Sequence, residues 1–315
     1  MTLTMRTCQQ ETDYGRIRAF LQEQLVRCRG RWMNWETIRL DLWRRHCLDP
    51  NDWPASMDEV TFIWETTEGQ IAAVLNPEGP GEAFLQVHPD HRTPELEKEM
   101  IAVAEQQLAS PVPDGQKKLS VWANEHDTLR QTILARRGYT KGDWPEHRWR
   151  RPLDLPIPDV PVAPGYTVRA LGDVAELPTR SWASWKAFHP DAPDDQYEGW
   201  EWYLDIQRMP LYRRDLDIVA VTDTGDRTSP CEVASFCTVW FDDVTSDGYL
   251  EPVGTMPAHQ RRGLARAVIG EGLRRLKRMG ATMAHVGGFS VAANALYASI
   301  MSPEPELVER WEKRL

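Results

Sequence analysis

The 315-residue sequence predicts an α/β (α+β) protein of two tandem halves, each a mixed central sheet flanked by helices, on three observations. At about 150 residues per domain the length is that of two domains, each able to bury a core without disulfides. A stretch dense in proline, RPLDLPIPDVPVAPG from Arg151 to Gly165, reads as an extended connector and leaves two flanks, 1–151 and 165–315, of 151 residues each. Short anchors also recur between the flanks. Val87-His-Pro-Asp-His-Arg92 lies over Thr255-Met-Pro-Ala-His-Gln260 at an offset of 168, and His147-Arg-Trp-Arg150 over Glu309-Arg-Trp-Glu312 at an offset of 162. The boundaries expected are 1–151, a linker at 152–164, and 165–315.

Each half reads as an amphipathic helical stretch, strands, a long helix, then a strand, a helix and a closing strand. In the second half Tyr166 to Arg169 suits a first strand, Val174 to Phe188 and Tyr197 to Gln207 suit helices, and Leu216 to Thr222 suits a second strand. Glu232 to Phe241 and Gly248 to Thr255 suit the arms of a hairpin. Gly263 to Met279 places Leu264, Val268, Ile269, Leu273 and Leu276 on one side of a helical wheel, with most arginines opposite.

Composition limits the function. The 47 acidic and 37 basic side chains leave a net charge of −10, which argues against a general polyanion binder such as a nonspecific nucleic-acid protein. Cys8, Cys28, Cys47, Cys231 and Cys237 show no CxxC or zinc spacing, and His88 and His91 have no further spaced ligand, so scattered thiols in a reducing cytosol and no metal site are expected. No run approaches the roughly 18 apolar residues of a membrane span, and the opening MTLTMRTCQQETDYGR has no apolar core for export. The expectation is a cytoplasmic protein with no membrane partner.

The strongest local signal is Gln260-Arg-Arg-Gly263-Leu-Ala265, where a β-branched strand gives way to a long helix. A helix start carries unpaired N–H groups and partial positive charge, and Gly263 and Ala265 allow a diphosphate to approach bare backbone. Gln260 to Gly280 holds seven basic residues and one acid, a local +6 on a chain that is −16 elsewhere. By charge and spacing alone, an ordinary surface helix with a glycine near its start remains an equal reading.

With these residues the second half, about Tyr166 to Leu315, resembles the GNAT acetyltransferase superfamily, whose signature is Gln/Arg-x-x-Gly-x-Gly/Ala after a strand. Leu250-Glu-Pro-Val-Gly-Thr-Met-Pro-Ala-His-Gln-Arg-Arg-Gly-Leu-Ala-Arg-Ala267 and Ala292-Ala-Asn-Ala-Leu-Tyr297 carry the likeness. The resemblance implies an acetyl-CoA-dependent N-acetyltransferase working by direct transfer to a small acceptor. It further implies a strand, Val253, Gly254 and Thr255, that pairs with pantetheine, and a loop, Gln260, Arg261, Arg262, Gly263, Leu264 and Ala265, that holds the diphosphate. Ser290 and Asn294 become candidate cofactor contacts, although the family often has Asn where this chain has Ser290. The family's Gly-Phe after the tyrosine is Met301-Ser302 here, so the closing turn must differ.

Two roles are then sought. Tyr297 is the candidate hydrogen-bond donor to the leaving sulfur, against a packing role. Glu251 is the candidate base or water-positioning group, because alternation puts Tyr249, Glu251 and Val253 on one strand face; a structural glutamate paired with an arginine is the alternative. Ala187 to Gln207 carries six acids, no lysine or arginine, and Tyr197, Trp200 and Trp202, which suits a cationic amine or, equally, a solvated loop. The first half resembles the same fold more weakly: aligning Arg92 with Gln260 sets Glu95 and Glu97 at the Gly263 and Ala265 positions, and Leu134 stands at the tyrosine position. A degenerate half without cofactor follows, a slip of this alignment across the Thr93-Pro94 turn being the alternative, with the halves as a monomeric pseudo-dimer or within a homo-oligomer. A non-catalytic acyl-CoA sensor or scaffold, and a thiol acceptor, stay open.

Overall fold

A computed structural model describes residues 2–28, 35–47, 55–113, 115–223 and 231–315. Two compact units emerge, Met1–His147 with Glu306–Leu315, and Arg148–Pro305.

The first unit begins with β1 (Thr4–Thr7), α1 (Gln10–Cys28), α2 (Thr37–Leu42) and α3 (Met57–Val60). The antiparallel strands β2 (Phe62–Glu65), β3 (Ile71–Asn76) and β4 (Glu82–Val87) follow. Helix α4 (Pro94–Gln107) then crosses to β6 (Lys117–Asn124), which lies parallel to β4 and also pairs with the short β5 (Ser110–Pro111). Leu96, Met100, Ile101 and Ala104 make the buried stripe that a helix over a sheet requires. Helix α5 (Thr128–Arg136) and β7 (Thr140–Lys141) complete the run.

The second unit has the sheet order β8-β13-β12-β11-β10-β9. Its strands are β8 (Glu146–Pro152), β9 (Tyr166–Ala170), β10 (Asp217–Thr222), β11 (Val233–Asp242), β12 (Asp247–Thr255) and β13 (Met283–Gly288). Helices α6 (Leu177–Phe188), α7 (Trp202–Gln207), α8 (Leu264–Arg278) and α9 (Val291–Ala298) surround it. The core joins β10–β13 to the apolar face of α8 through Ile218, Val239, Leu250, Val268, Leu273 and Leu276. The helix expected over Tyr197 to Gln207 starts only at Trp202, because Gly199 takes φ +104°.

The last strand, β14 (Glu306–Arg314), belongs to the first unit, pairing antiparallel with β6 from Val308↔Asn124 to Arg314↔Lys118. The repeat anchors at 147–150 and 309–312 thus mark closing strands, but the second half's closing strand completes the first unit's sheet. Nor does the proline-rich stretch run free: Leu153 and Val160 are buried in the second unit's core, and the Arg151 guanidinium donates to the carbonyls of Ile300 and Met301 at 3.1 Å each. Cys8, Cys28, Cys231 and Cys237 are free thiols, and the Cys47 side chain lies outside the described residues. Among the described residues there is no cluster of three metal-ligating side chains and no helix long and apolar enough to cross a membrane.

Candidate active site

Strands β12 and β13 pair in parallel only from Asp247↔Met283 to Tyr249↔His285. Both continue further, to Thr255 and Gly288, so the sheet opens beyond Tyr249. The opening coincides with a bulge: Val239 opposes Leu250 and Cys237 opposes Val253, so β12 carries one residue more than β11. The extra residue falls at Glu251-Pro252, where a proline cannot donate to the ladder. Trp240 Nε1 pins the bulge by donating to the Glu251 carbonyl at 2.5 Å.

The bulge rearranges what simple alternation predicts. Gly248 and Leu250 face α8, and the extra residue brings Val253 to that face as well, so Tyr249, Glu251 and Val253 do not share one side. Met256 N–H donates to the Ala234 carbonyl on β11 at 2.9 Å, so alternation turns the main chain of Gly254 toward β11 and that of Val253 and Thr255 toward the opening. The Gly254 carbonyl accepts from Ser235 Oγ at 2.8 Å. Gly254 is instead a packing requirement: a Cβ there would lie 2.4 Å from Phe236 Cζ and 3.0 Å from Ala187 Cβ. Val253 and Thr255 thus turn their main-chain groups to the opening.

Past the strand, the turn Pro257–His259 leads to Gln260, whose amide donates to the Thr255 carbonyl at 3.3 Å. Arg261 has φ +63° and Gly263 φ +78°, so the loop reaches α8 through two left-handed residues. The first helical bond recorded after them is Ala267 N–H to the Gly263 carbonyl at 3.1 Å, which leaves the N–H groups of Leu264, Ala265 and Arg266 as the helix's unpaired donors. No atom lies within 4 Å of where a Gly263 Cβ would sit, and no side chain caps the helix. This is an open cradle of donors. The positive charge divides: Arg274, Arg275 and Arg278 all reach Glu271, and Lys277 meets the carbonyls of Asp154 and Leu155 at 3.3 Å each. Arg261, Arg262 and Arg266 are left near the cradle, exposed.

Across the opening, Tyr297 on α9 is buried in the core, yet its hydroxyl makes no hydrogen bond to a described residue. Burial, with Cys237 and Glu251 adding to it, pushes its phenol well above the ordinary range. Glu251 is exposed and within electrostatic reach of that phenol, so the structure brings the two expected catalytic groups into one region. Ser290 caps α9, its Oγ accepting from Ala293 N–H at 3.1 Å while its O–H remains a donor. Asn294 Oδ1 accepts from Trp149 Nε1 at 2.9 Å, which fixes the orientation of the amide. Met301 N–H donates to the Tyr297 carbonyl at 2.7 Å, and the turn holds the tyrosine without the usual Gly-Phe.

On the α6 side of the bulge, Trp182, Trp185 and Tyr197 form a box with centroids 5.1–5.6 Å apart. Lys186 sits over both tryptophans, 5.2 and 5.7 Å from their centroids, and pairs with Asp194 at 2.8 Å. The chain's own cation therefore fills this box. Trp200 and Trp202 are half-buried, whereas Asp191, Asp195 and Glu198 are exposed without a described partner. Beneath, Arg180 is enclosed, bonded to Asp217 at 3.2 Å and Thr238 at 3.0 Å and stacked 3.9 Å over Phe236. Sequence reasoning missed Trp240, Trp149 and this network; Pro252 inside a strand was the signal for the bulge that Trp240 pins.

In the first unit β4 and β6 also part, pairing only at Glu82↔Ser120 and Ala83↔Val121. The helix start differs. Thr93 caps α4, accepting from Leu96 N–H at 3.2 Å, ahead of Pro94. Six positions separate Val87 from Thr93 and eight separate Thr255 from Gly263, so matching the caps shifts the sequence alignment by two. Glu95 then lies opposite Ala265 and is exposed, and Glu97 lies opposite Ala267 and is enclosed, bonded to Arg92 at 2.7 Å and twice to Arg130 at 2.9 Å.

A parted parallel pair beside a bulge, followed by an open helix start, sets a free strand edge next to unpaired helix N–H groups. Residues 175–301 match the family model described as Acetyltransferase (GNAT) family. That stretch, within the second unit, is similar to a family of acyltransferases, and the chain as a whole has two GNAT folds in tandem. A GCN5-related N-acetyltransferase from Sphaerobacter thermophilus superposes over 99% of this chain and 95% of its own, at 16% identity and a TM-score of 0.66. A tandem GNAT protein from the clavulanic acid biosynthesis pathway covers 99% and 98%, at 14% and 0.63, and a GNAT acetyltransferase from Colwellia psychrerythraea covers 98% and 100%, at 10% and 0.60. No curated protein matches the chain.

Proposed function

We propose that the second unit transfers an acetyl group from acetyl-CoA directly to an amine of a small acceptor, and that the first unit is a degenerate partner holding no donor. The observation that carries this is the opening between β12 and β13 running into a helix start with free N–H groups and no atom near Gly263 Cα's missing substituent. The donor supplies an activated thioester; the remaining chemistry belongs to the chain. Val253 and Thr255 offer main-chain groups to an extended amide-bearing arm, as an added strand would. Leu264, Ala265 and Arg266 N–H groups, with Arg261 and Arg262, meet phosphoryl oxygens. Val253 N–H stabilises the oxyanion as the carbonyl becomes tetrahedral.

A lysine-like amine is protonated at pH 7 at a cost of roughly 4.6 kcal/mol to neutralise, so a base or water chain is needed. Glu251, exposed at the bulge, accepts that proton or positions the water that does. Tyr297 donates a hydrogen bond to the departing sulfur. Its phenol, raised by burial, is a poorer acid than the thiol, of pKa about 8.5, so it stabilises the thiolate without giving up its proton. Asp191, Asp195 and Glu198 draw cationic acceptors toward this side. The test incubates the protein with acetyl-CoA and a panel of mono- and polyamines, following CoA release and acetylated product by mass. CoA binding by calorimetry without turnover on any amine or thiol would instead support an acyl-CoA sensor.

A further inference from the structure

The turn before the phosphate loop ends in an imidazole held from both sides. His259 Nδ1 lies 2.8 Å from the hydroxyl of Tyr166, the first residue of β9, and the rings meet edge to face at 5.7 Å. Its Nε2 lies 3.1 Å from Glu232 Oε2 at the entrance to β11. An ionised carboxylate only accepts, so the neutral ring carries its proton on Nε2 and Nδ1 accepts from the Tyr166 O–H. On the far side, the Arg262 guanidinium carbon stands 5.8 Å from the Tyr166 ring centroid. Glu232, His259, Tyr166 and Arg262 therefore run in series from a strand edge into the loop.

Nothing in the acyl-transfer chemistry requires this series. It gives the loop something its neighbours lack: Arg261 and Arg266 have no described ring or carboxylate partner, whereas the Arg262 guanidinium lies over a ring whose hydroxyl is bonded to His259. An arginine that is already ordered surrenders less rotamer freedom when it meets an anion. We propose that Glu232, His259 and Tyr166 form a positioning relay that holds Arg262 at the cradle, so that affinity for the donor's phosphoryl groups is set by residues that do not touch them. The proposal rests on the donor reading above.

The experiment is calorimetric titration with CoA of the full chain and its variants. His259→Ala and Tyr166→Leu each weaken CoA binding about tenfold, the size of one charged contact loosened. His259→Asn, whose amide reaches the place of Nδ1, recovers most of that loss, which a merely structural histidine would not allow. In the double variant Tyr166→Leu with Arg262→Ala, affinity stays within about twofold of Arg262→Ala alone, because both changes remove one contact. Thermal melting checks that each variant is folded; if Tyr166→Leu is not, Tyr166→Phe, which keeps the ring and cuts only its bond to His259, is expected to weaken CoA binding as His259→Ala does. A wild-type protein that binds CoA alongside unaffected variants, or losses that add in full, overturns the relay alone. A wild-type protein silent toward CoA sinks the donor reading and the relay with it.

Discussion

The start of α4 and the start of α8 each follow a strand that parts from its parallel neighbour, and they meet the same electrostatic demand in opposite ways. At α4, Thr93 caps a donor, Pro94 removes one, and the Glu97 carboxylate, locked to Arg92 and Arg130, places an anion within the helix's first turn. At α8, a left-handed glycine replaces the cap, the loop is two residues longer, and no carboxylate enters the first turn. A helix start that has satisfied itself has little to offer an anion; one left open presents free N–H groups that water or an anion can meet. On the proposed reading, the same fold yields a structural unit and a binding unit by exchanging a cap and an acid for bare backbone.

The largest effect that sharpens this contrast is on stability. Glu97→Ala leaves Arg130 enclosed with Asp127 as its remaining carboxylate and is expected to cost about 3–5 kcal/mol in urea unfolding. Burial pushes the Glu97 carboxyl up, but Arg130 and Arg92 together hold it below the usual glutamate range. A depressed folded pKa gives stability that is present above the unfolded value of about 4.3 and lost as pH falls through the folded one. The wild-type protein should lose stability in that acid window, and Glu97→Ala should lose less of it.

Next comes Gly263→Val, which forces a β-branched residue to φ +78° and fills the open space before the cradle. CoA affinity is expected to fall by about 100-fold or more, roughly 2.7 kcal/mol, in a calorimetric titration. Unchanged affinity would break the comparison at its centre. Tyr297→Phe is expected to lower kcat by about ten- to a hundredfold, with donor KM unchanged, since it removes one hydrogen bond formed only as the thiolate departs. Because the Tyr297 phenol is raised well above 10, its donor form persists as pH rises, and the kcat profile of the wild-type enzyme should show no loss of activity from this group up to pH about 9.5.

How legible these features were depended on the range of the interaction. The strand–loop–helix run from Leu250 to Ala267 and the helix tyrosine were readable because their chemistry is local: a glycine, a strand end and a helix start in one stretch of chain. Faces and partners were not. The alternation that grouped Tyr249, Glu251 and Val253 fails by one residue at Pro252, and Ser290 is a cap because Ala293 N–H is near it. The local +6 of the long helix was partly misleading, since Glu271 gathers three of its arginines. The destination of β14, whose partner β6 lies about 190 positions away, and the Lys186 ammonium filling the Trp182 and Trp185 box are tertiary facts that no period in the sequence encodes.

The smallest expected effect tests whether the first unit's helix start is closed by its cap or by its length. Thr93→Gly removes the hydroxyl that accepts from Leu96 N–H while permitting a left-handed backbone, and it makes the α4 start resemble that of α8. Loss of a threonine cap to glycine costs a few tenths of a kcal/mol up to about 2 kcal/mol, measurable as a lower urea midpoint. Calorimetry should still find one CoA site per chain, because Glu97 remains the anion of that turn and the loop before it is still two residues short. A second site in Thr93→Gly would show that the threonine alone kept the first unit closed, and that Glu97 and loop length were incidental to it.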